Sequence, residues 1–126
     1  MSSEKKTVVI VEDEPEAAEM FAEMMRVTGF NVVQLYSSTP AMSTISAEQP
    51  DLVILDIMMP DVSGLEVLRY MRREPLLKDI PVVLVSAKSM PADIQEGMDA
   101  GASSYLTKPV GFLELKDAVE KLVPLG

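Results

Sequence analysis

The sequence contains no cysteine and no histidine, and these two absences narrow the chemistry more than any other feature of its composition. Without cysteine there are no disulfides, no thiolate nucleophiles and no Cys-ligated zinc. Without histidine there is no Ser-His-Asp hydrolysis, no imidazole general base and no His-rich metal site. Any chemistry must use carboxylates, Lys, Ser or Thr, Tyr, backbone groups or a bound metal. Positive charge is also scarce, with 11 basic residues against 20 acidic ones and a formal net charge of −9. That sign disfavours phosphate backbones and anionic membrane surfaces as direct ligands, so no direct nucleic-acid or membrane role is expected. Long apolar runs are missing too. The polar start Met-Ser-Ser-Glu-Lys-Lys is followed by a short apolar stretch at 8–11, which is too short for a signal-peptide core or a membrane helix. A cytoplasmic protein is expected.

What is present is a folded globule. The 126 residues are 48% hydrophobic, the size of a single domain able to bury about two-thirds of its unfolded surface. The expected domain spans 1–126, with a polar tail at 1–6 and a C-terminal tail or linker start at 124–126. Runs at 8–11, 52–55 and 80–85 are short, rich in Val and Ile, and do not alternate in polarity. Strands buried on both faces, at the centre of a parallel sheet, have this pattern. Weaker strand candidates lie at 31–36 and 103–106.

Helical spacing fills the intervals. Ala17, Met20, Phe21, Met24 and Thr28 share one face, with Gly29 as the stop. Leu65, Leu68 and Met71 follow a Ser63/Glu66 capping-box pattern. Ile94 and Met98 mark another helix, ended by Gly101, while Phe112, Leu115, Ala118, Val119 and Leu122 follow Gly111 as N-cap. Residues 39–47 form a further helix with Pro40 in its first turn. Most of the ten methionines, including Met20, Met24 and Met71, read as packing, whereas Met59 and Met90 are the candidates for exposure. The order is β-α repeated five times, which right-handed crossovers fold into one parallel sheet with helices on both faces.

Ligands of such folds bind beyond the carboxyl ends of the strands. There the sequence places Glu12-Asp13-Glu14, Asp56, Ser86-Ala87-Lys88 and Thr107-Lys108-Pro109. Gathered carboxylates repel unless a cation sits among them, and a hard divalent ion such as Mg²⁺ suits a site with few carboxylates that also takes a phosphoryl oxygen. Lys108 adds a second positive charge and Ser86 a neutral donor. A carboxylate with its ordinary pKa of about 4 is ionised at neutral pH, so as nucleophile toward phosphorus it needs no base. The missing histidine is therefore no obstacle to Asp56 forming an acyl phosphate.

These segments resemble a response-regulator receiver domain of two-component signalling. They are Val9-Ile10-Val11-Glu12-Asp13-Glu14-Pro15, Leu52 through Gly64 with Asp56-Ile57-Met58-Met59-Pro60-Asp61 at its centre, Val85-Ser86-Ala87, and Gly101-Ala102-Ser103-Ser104-Tyr105-Leu106-Thr107-Lys108-Pro109. The likeness covers about residues 7–123. It implies a doubly wound, flavodoxin-like (βα)5 fold with strand order 2-1-3-4-5, an arrangement the same family illustrates.

The resemblance also implies roles for individual residues. Asp56 accepts a phosphoryl group from a phosphohistidine on a sensor histidine kinase or phosphotransfer protein. Asp13 ligates Mg²⁺ (or Mn²⁺) directly and Glu12 through water, with Asp56 and the Met58 backbone carbonyl completing the set. Ser86 hydrogen-bonds the phosphoryl group, Lys108 pairs with it, and the Lys108–Pro109 bond is cis. Tyr105 turns inward as Ser86 moves, changing the face of the fourth helix, fifth strand and fifth helix that a downstream effector or output domain reads. Homodimers form through that face on phosphorylation. Met58 and Lys88 tune the phosphoryl lifetime.

Glu12 stands where Asp is commonest in the family, and Val110-Gly111 replaces the usual Phe and capping Asp. Two other readings compete. A Mg²⁺-dependent phosphohydrolase with an aspartyl-phosphate intermediate usually carries a second acid two residues after the nucleophile, where this chain has Met58. A receiver-like binding module without phosphorylation would have no use for the complete set of Glu12, Asp13, Asp56, Ser86 and Lys108.

Overall fold

The computed structural model describes residues 5–124. Residues 1–4 of the expected polar tail and 125–126 of the expected C-terminal tail lie outside the described residues. The elements run β1 (Thr7–Val11), α1 (Pro15–Thr28), β2 (Asn31–Leu35), α2 (Ala41–Glu48), β3 (Leu52–Asp56), α3 (Gly64–Arg73), β4 (Val82–Ser86), α4 (Pro91–Asp99), β5 (Ser104–Thr107) and α5 (Phe112–Leu122). One five-stranded parallel sheet has the order β2-β1-β3-β4-β5. Among the described residues no helix is long and apolar enough to cross a membrane.

The three apolar runs are the three central strands, as their lack of alternation requires. Every residue of β3 and β4 is buried, while edge strand β2 has none that is fully buried. Successive side chains point to opposite faces of the sheet, so the core divides in two. Val8, Ile10, Leu52, Ile54, Val83 and Val85 meet α1 and α5 through Phe21, Met25, Leu115 and Val119. Val9, Val11, Val53, Leu55, Val82 and Leu84 meet α2 and α3 through Ile45, Leu65, Leu68 and Met71. Each fully buried large side chain contributes about 1.5–3 kcal/mol.

Several local expectations need correction. The buried stripe of α1 is Ala18, Phe21, Ala22 and Met25, and Met20 is 41% exposed. Adjacent apolar pairs (Ala17/Ala18, Met20/Phe21, Met24/Met25) fit helical spacing in two registers one residue apart, and the packing takes the second. β4 begins at Val82 rather than Ile80, because Pro81 has no N–H to give the ladder and the Ile80 N–H closes a turn onto Leu77. In α4 the sole buried residue is Gly97, while Ile94 is half-buried and Met98 exposed. Met90 is exposed as expected, but Met59 packs against the α2/α3 core and Met58 is exposed instead. α2 starts at Ala41 with Pro40 as its N-cap.

Ser63 caps α3 through the Leu65 N–H, but Glu66 turns away from a capping box to pair with Arg69. Gly29 ends α1 in a left-handed conformation at φ 113°, donating to the carbonyls of Met25 and Arg26. Arg72 of α3 clamps the far end of the sheet, where its Nε donates to the Gly101 carbonyl (2.9 Å) and Nη1 to those of Ile80 (2.8 Å) and Lys78 (3.1 Å).

Candidate phosphoryl and metal site

The ladder carries the chemistry-bearing residues to one edge. Asp56 and Ser86 are the last residues of β3 and β4, and Asp56 pairs with Val85 and Ser86 with Thr107 across the sheet. The Glu12 N–H extends the ladder to the Leu35 carbonyl, and the Lys108 N–H extends it to that of Ser86. Backbone pairing therefore fixes where each side chain begins.

Glu12, Asp13 and Asp56 each bring a carboxylate oxygen into a cluster whose atoms lie within 4.8 Å of one another. Glu12 is 1% exposed and Asp56 3%. The Lys108 ammonium lies between them, with Nζ 2.8 Å from Oε1 of Glu12 and donating to Oδ2 of Asp56 at 3.2 Å. The Met58 N–H donates to Oδ1 of Asp56 at 3.2 Å, and the Glu14 N–H to Oε2 of Glu12 at 3.1 Å. Glu12 Oε1 is buried and meets the ammonium as an ion pair. The residues open into a cleft of about 490 Å³ lined by Asp13, Asp56, Ala87 and Lys108. A larger apolar groove of about 730 Å³, lined by α1 residues and Phe112, shares none of these acids and none of this chemistry.

Electrostatics describe a site short of positive charge. Burial, opposed by the Lys108 contact and reinforced by the Asp56 charge, pushes the Glu12 carboxyl up to about 7. Burial works against the Lys108 ammonium, but Glu12 and Asp56 outweigh it and raise its pKa. A hard cation with oxygen ligands fits this donor set: three carboxylates, two of them buried, bring oxygens within 4.8 Å of one another with a single ammonium to balance them.

The other expected residues stand around the cleft. Ser86 is fully buried, and its Oγ accepts the Lys88 N–H at 3.1 Å and lies beside the Tyr105 hydroxyl. Tyr105 donates its hydroxyl proton to the Lys88 carbonyl at 2.8 Å. Lys88 and Met58 are exposed and share an adjoining cleft with Asp13. The Lys108–Pro109 peptide is cis.

Two contributors have no signal in the residues alone. Gly64 opens α3 directly on the Asp56–Ile57 backbone, where a Cβ would stand 2.1 Å from the Asp56 carbonyl oxygen. Asp61 accepts from the backbone N–H and hydroxyl of both Ser38 and Thr39, tying the loop after β3 to the loop before α2. These bonds, that of Ser38 foremost, hold the Asp61 carboxyl well below the usual carboxylate range.

A doubly wound sheet with an acid cluster and a lysine at its carboxyl edge defines a class of phosphoryl-handling α/β domain. The family model for the response regulator receiver domain matches residues 8–120. The phosphate regulon transcriptional regulatory protein PhoB of Pseudomonas aeruginosa is 36% identical over 110 residues, 87% of this chain and 48% of that protein. The polar-differentiation response regulator DivK of Brucella ovis is 32% identical over 105 residues, 83% of this chain and 85% of that protein. A putative response regulator from Chloroflexus aurantiacus superposes with a TM-score of 0.90 at 30% identity, covering 94% of this chain and 98% of that one. The chemotaxis protein CheY4 of Vibrio cholerae shares the fold, with a TM-score of 0.89 at 22% identity over 95% of this chain and all of that one. The chain belongs to the response regulator receiver family, the phosphorylation-activated switch of two-component signalling. It spans about half the length of the transcriptional regulators it matches.

Proposed function

We propose that Asp56 is the phosphoacceptor of a phosphorylation switch, supplied by a phosphohistidine on a sensor histidine kinase or phosphotransfer protein. The observation that carries this reading is the Asp56 carboxylate itself, 3% exposed and held 3.2 Å from Lys108, with Glu12 and Asp13 in the same cluster. A buried acid in such company has been desolvated for a purpose beyond packing. An Asp56 oxygen forms a bond to phosphorus while the phosphorus–nitrogen bond of the donor breaks, its electron pair remaining on the imidazole. Lys108 shifts its ion pair from Asp56 to the arriving phosphoryl oxygens, and the Ser86 hydroxyl turns to donate a hydrogen bond to another of them. Glu12, Asp13, Asp56 and the Met58 carbonyl are the groups that would hold Mg²⁺ or Mn²⁺. The bound ion supplies charge neutralisation of the transferring group.

Tyr105 and Ser86 report phosphorylation to the α4-β5-α5 face, where a downstream effector or output domain, or a second copy of the chain, binds. Met58 and Lys88 at the cleft rim set how readily water reaches the phosphoryl group. The chain catalyses only its own phosphorylation and dephosphorylation, and acts in the cytoplasm as one receiver domain over 1–126. Incubation with acetyl phosphate and Mg²⁺ is expected to add one phosphoryl group by intact mass, with no addition to Asp56→Asn. A wild-type chain that stays unmodified would favour the binding-module reading.

A further inference from the structure

We propose that Gly97 is a positioning residue of the switch: its missing side chain makes the slot on α4 that seats the Tyr105 ring. That seat keeps the Tyr105 hydroxyl on the loop following Ser86. The proposal rests on the reading of Ser86 and Tyr105 as the switch pair.

Gly97 lies inside a helix, where alanine is the better helix former and glycine brings no backbone advantage. What glycine allows is close approach. A Cβ at this position would stand 2.8 Å from Cδ2 and 3.1 Å from Cε2 of Tyr105, and 2.9 Å from Cδ1 of Leu84. Leu84 is fully buried on β4, whereas the half-buried Tyr105 ring makes two of the three close contacts and has solvent on one side into which it can yield. A methyl group at 97 therefore displaces the ring. The Tyr105 hydroxyl donates to the Lys88 carbonyl at 2.8 Å, and the Lys88 N–H donates to Ser86 Oγ at 3.1 Å. One continuous line of contacts runs from the α4 backbone through Tyr105 and Lys88 to the hydroxyl at the phosphoryl site, and Gly97 sets its outer end.

The test uses wild type, Gly97→Ala, Tyr105→Ala and the double variant, with NMR of ring-labelled tyrosine and the phosphoryl half-life measured in each. Gly97→Ala is expected to shift the Tyr105 ring resonances of the unphosphorylated chain and still to take one phosphoryl group. It should change the phosphoryl half-life roughly two-fold or more in the Tyr105 background and leave it unchanged in the Tyr105→Ala background. Ring resonances that match wild type, or an equal half-life change in both backgrounds, would overturn the proposal. If Gly97→Ala alone does not fold, folding of the double variant supports the seat, and failure of both overturns it. Should Tyr105→Ala leave the phosphorylation response of the α4 amides as in wild type, the switch reading itself fails, an outcome distinct from an undisturbed ring in Gly97→Ala.

Discussion

Gly64→Ala sets two effects of opposite sign against each other. Gly64 is the first residue of α3, and alanine in a helix is favoured over glycine by about 1 kcal/mol. If propensity decided the matter, the variant would be the more stable protein. The structure says otherwise. The added Cβ would stand 2.1 Å from the Asp56 carbonyl oxygen and 2.9 Å from both the Asp56 carbonyl carbon and the Ile57 Cα. These are backbone atoms, so no rotamer change relieves the contact. Either the first turn of α3 lifts, breaking the Gly64 N–H bond to the Ile57 carbonyl (2.9 Å), or the end of β3 is pushed out of the sheet.

Overpacking of this kind costs about 1–3 kcal/mol, and a clash against backbone belongs at the upper end. The net expectation is a loss of about 2 kcal/mol, read as a lower urea midpoint at unchanged m. At roughly 3–5 °C per kcal/mol for a domain of this size, Tm falls by roughly 6–10 °C. The same shift moves Asp56 against Lys108, and a displacement of about 1 Å can cost on the order of 100-fold in rate. Phosphorylation by acetyl phosphate should therefore slow well before the protein unfolds. A Gly64→Ala protein with the wild-type or a higher Tm and an unchanged phosphorylation rate would refute the reasoning.

Three other perturbations have definite directions. Arg72→Ala removes the donors to the Gly101, Ile80 and Lys78 carbonyls and should cost about 2–3 kcal/mol in denaturant titrations; Arg72→Lys should not restore it, because an ammonium cannot reproduce the fork. The depressed Asp61 carboxyl contributes stability that is fully present above its unfolded pKa of about 3.9 and is lost as pH falls from there toward the lower folded value. Asp61→Asn should therefore be less stable than wild type at neutral pH, with a smaller drop as the pH falls below about 4 in acid denaturation. Lys108→Met leaves Glu12 and Asp56 facing each other without a cation, so added Mg²⁺ should raise Tm more in this variant than in wild type, while phosphorylation is lost. An equal Mg²⁺ response in both would separate Lys108 from the metal cluster.

Much of the fold was legible because buried parallel strands announce themselves. The Val- and Ile-rich runs became β1, β3 and β4, and the rule that ligands lie beyond strand ends led directly to Glu12, Asp13, Asp56, Ser86 and Lys108. Strand order came from the family resemblance, since periodicity cannot supply it, and the sheet has that order. The errors have local causes. Doubled apolar residues in α1 left its register ambiguous by one position, and Met20 took the exposed side. Pro81 cut β4 short of Ile80.

What could not be read depends on chains meeting in space. Asp61 reaches Ser38 across 23 residues of sequence, and nothing at either position announces the other. Gly64 and Gly97 resemble ordinary glycines until the neighbouring backbone or ring shows what their missing side chains leave room for. Met58 follows Asp56 by two residues, and its exposure depends on how the loop after β3 leaves the sheet.

The most direct measurement is the position of the phosphoryl group. The chain would be incubated with acetyl phosphate with and without Mg²⁺, any acyl phosphate reduced with borohydride, and the modified peptide sequenced by mass spectrometry. The account predicts one modified residue, Asp56, whose yield depends on Mg²⁺ and falls away in Asp13→Asn. A label on another carboxylate, or on Asp56 at the same rate without divalent cation, would contradict it.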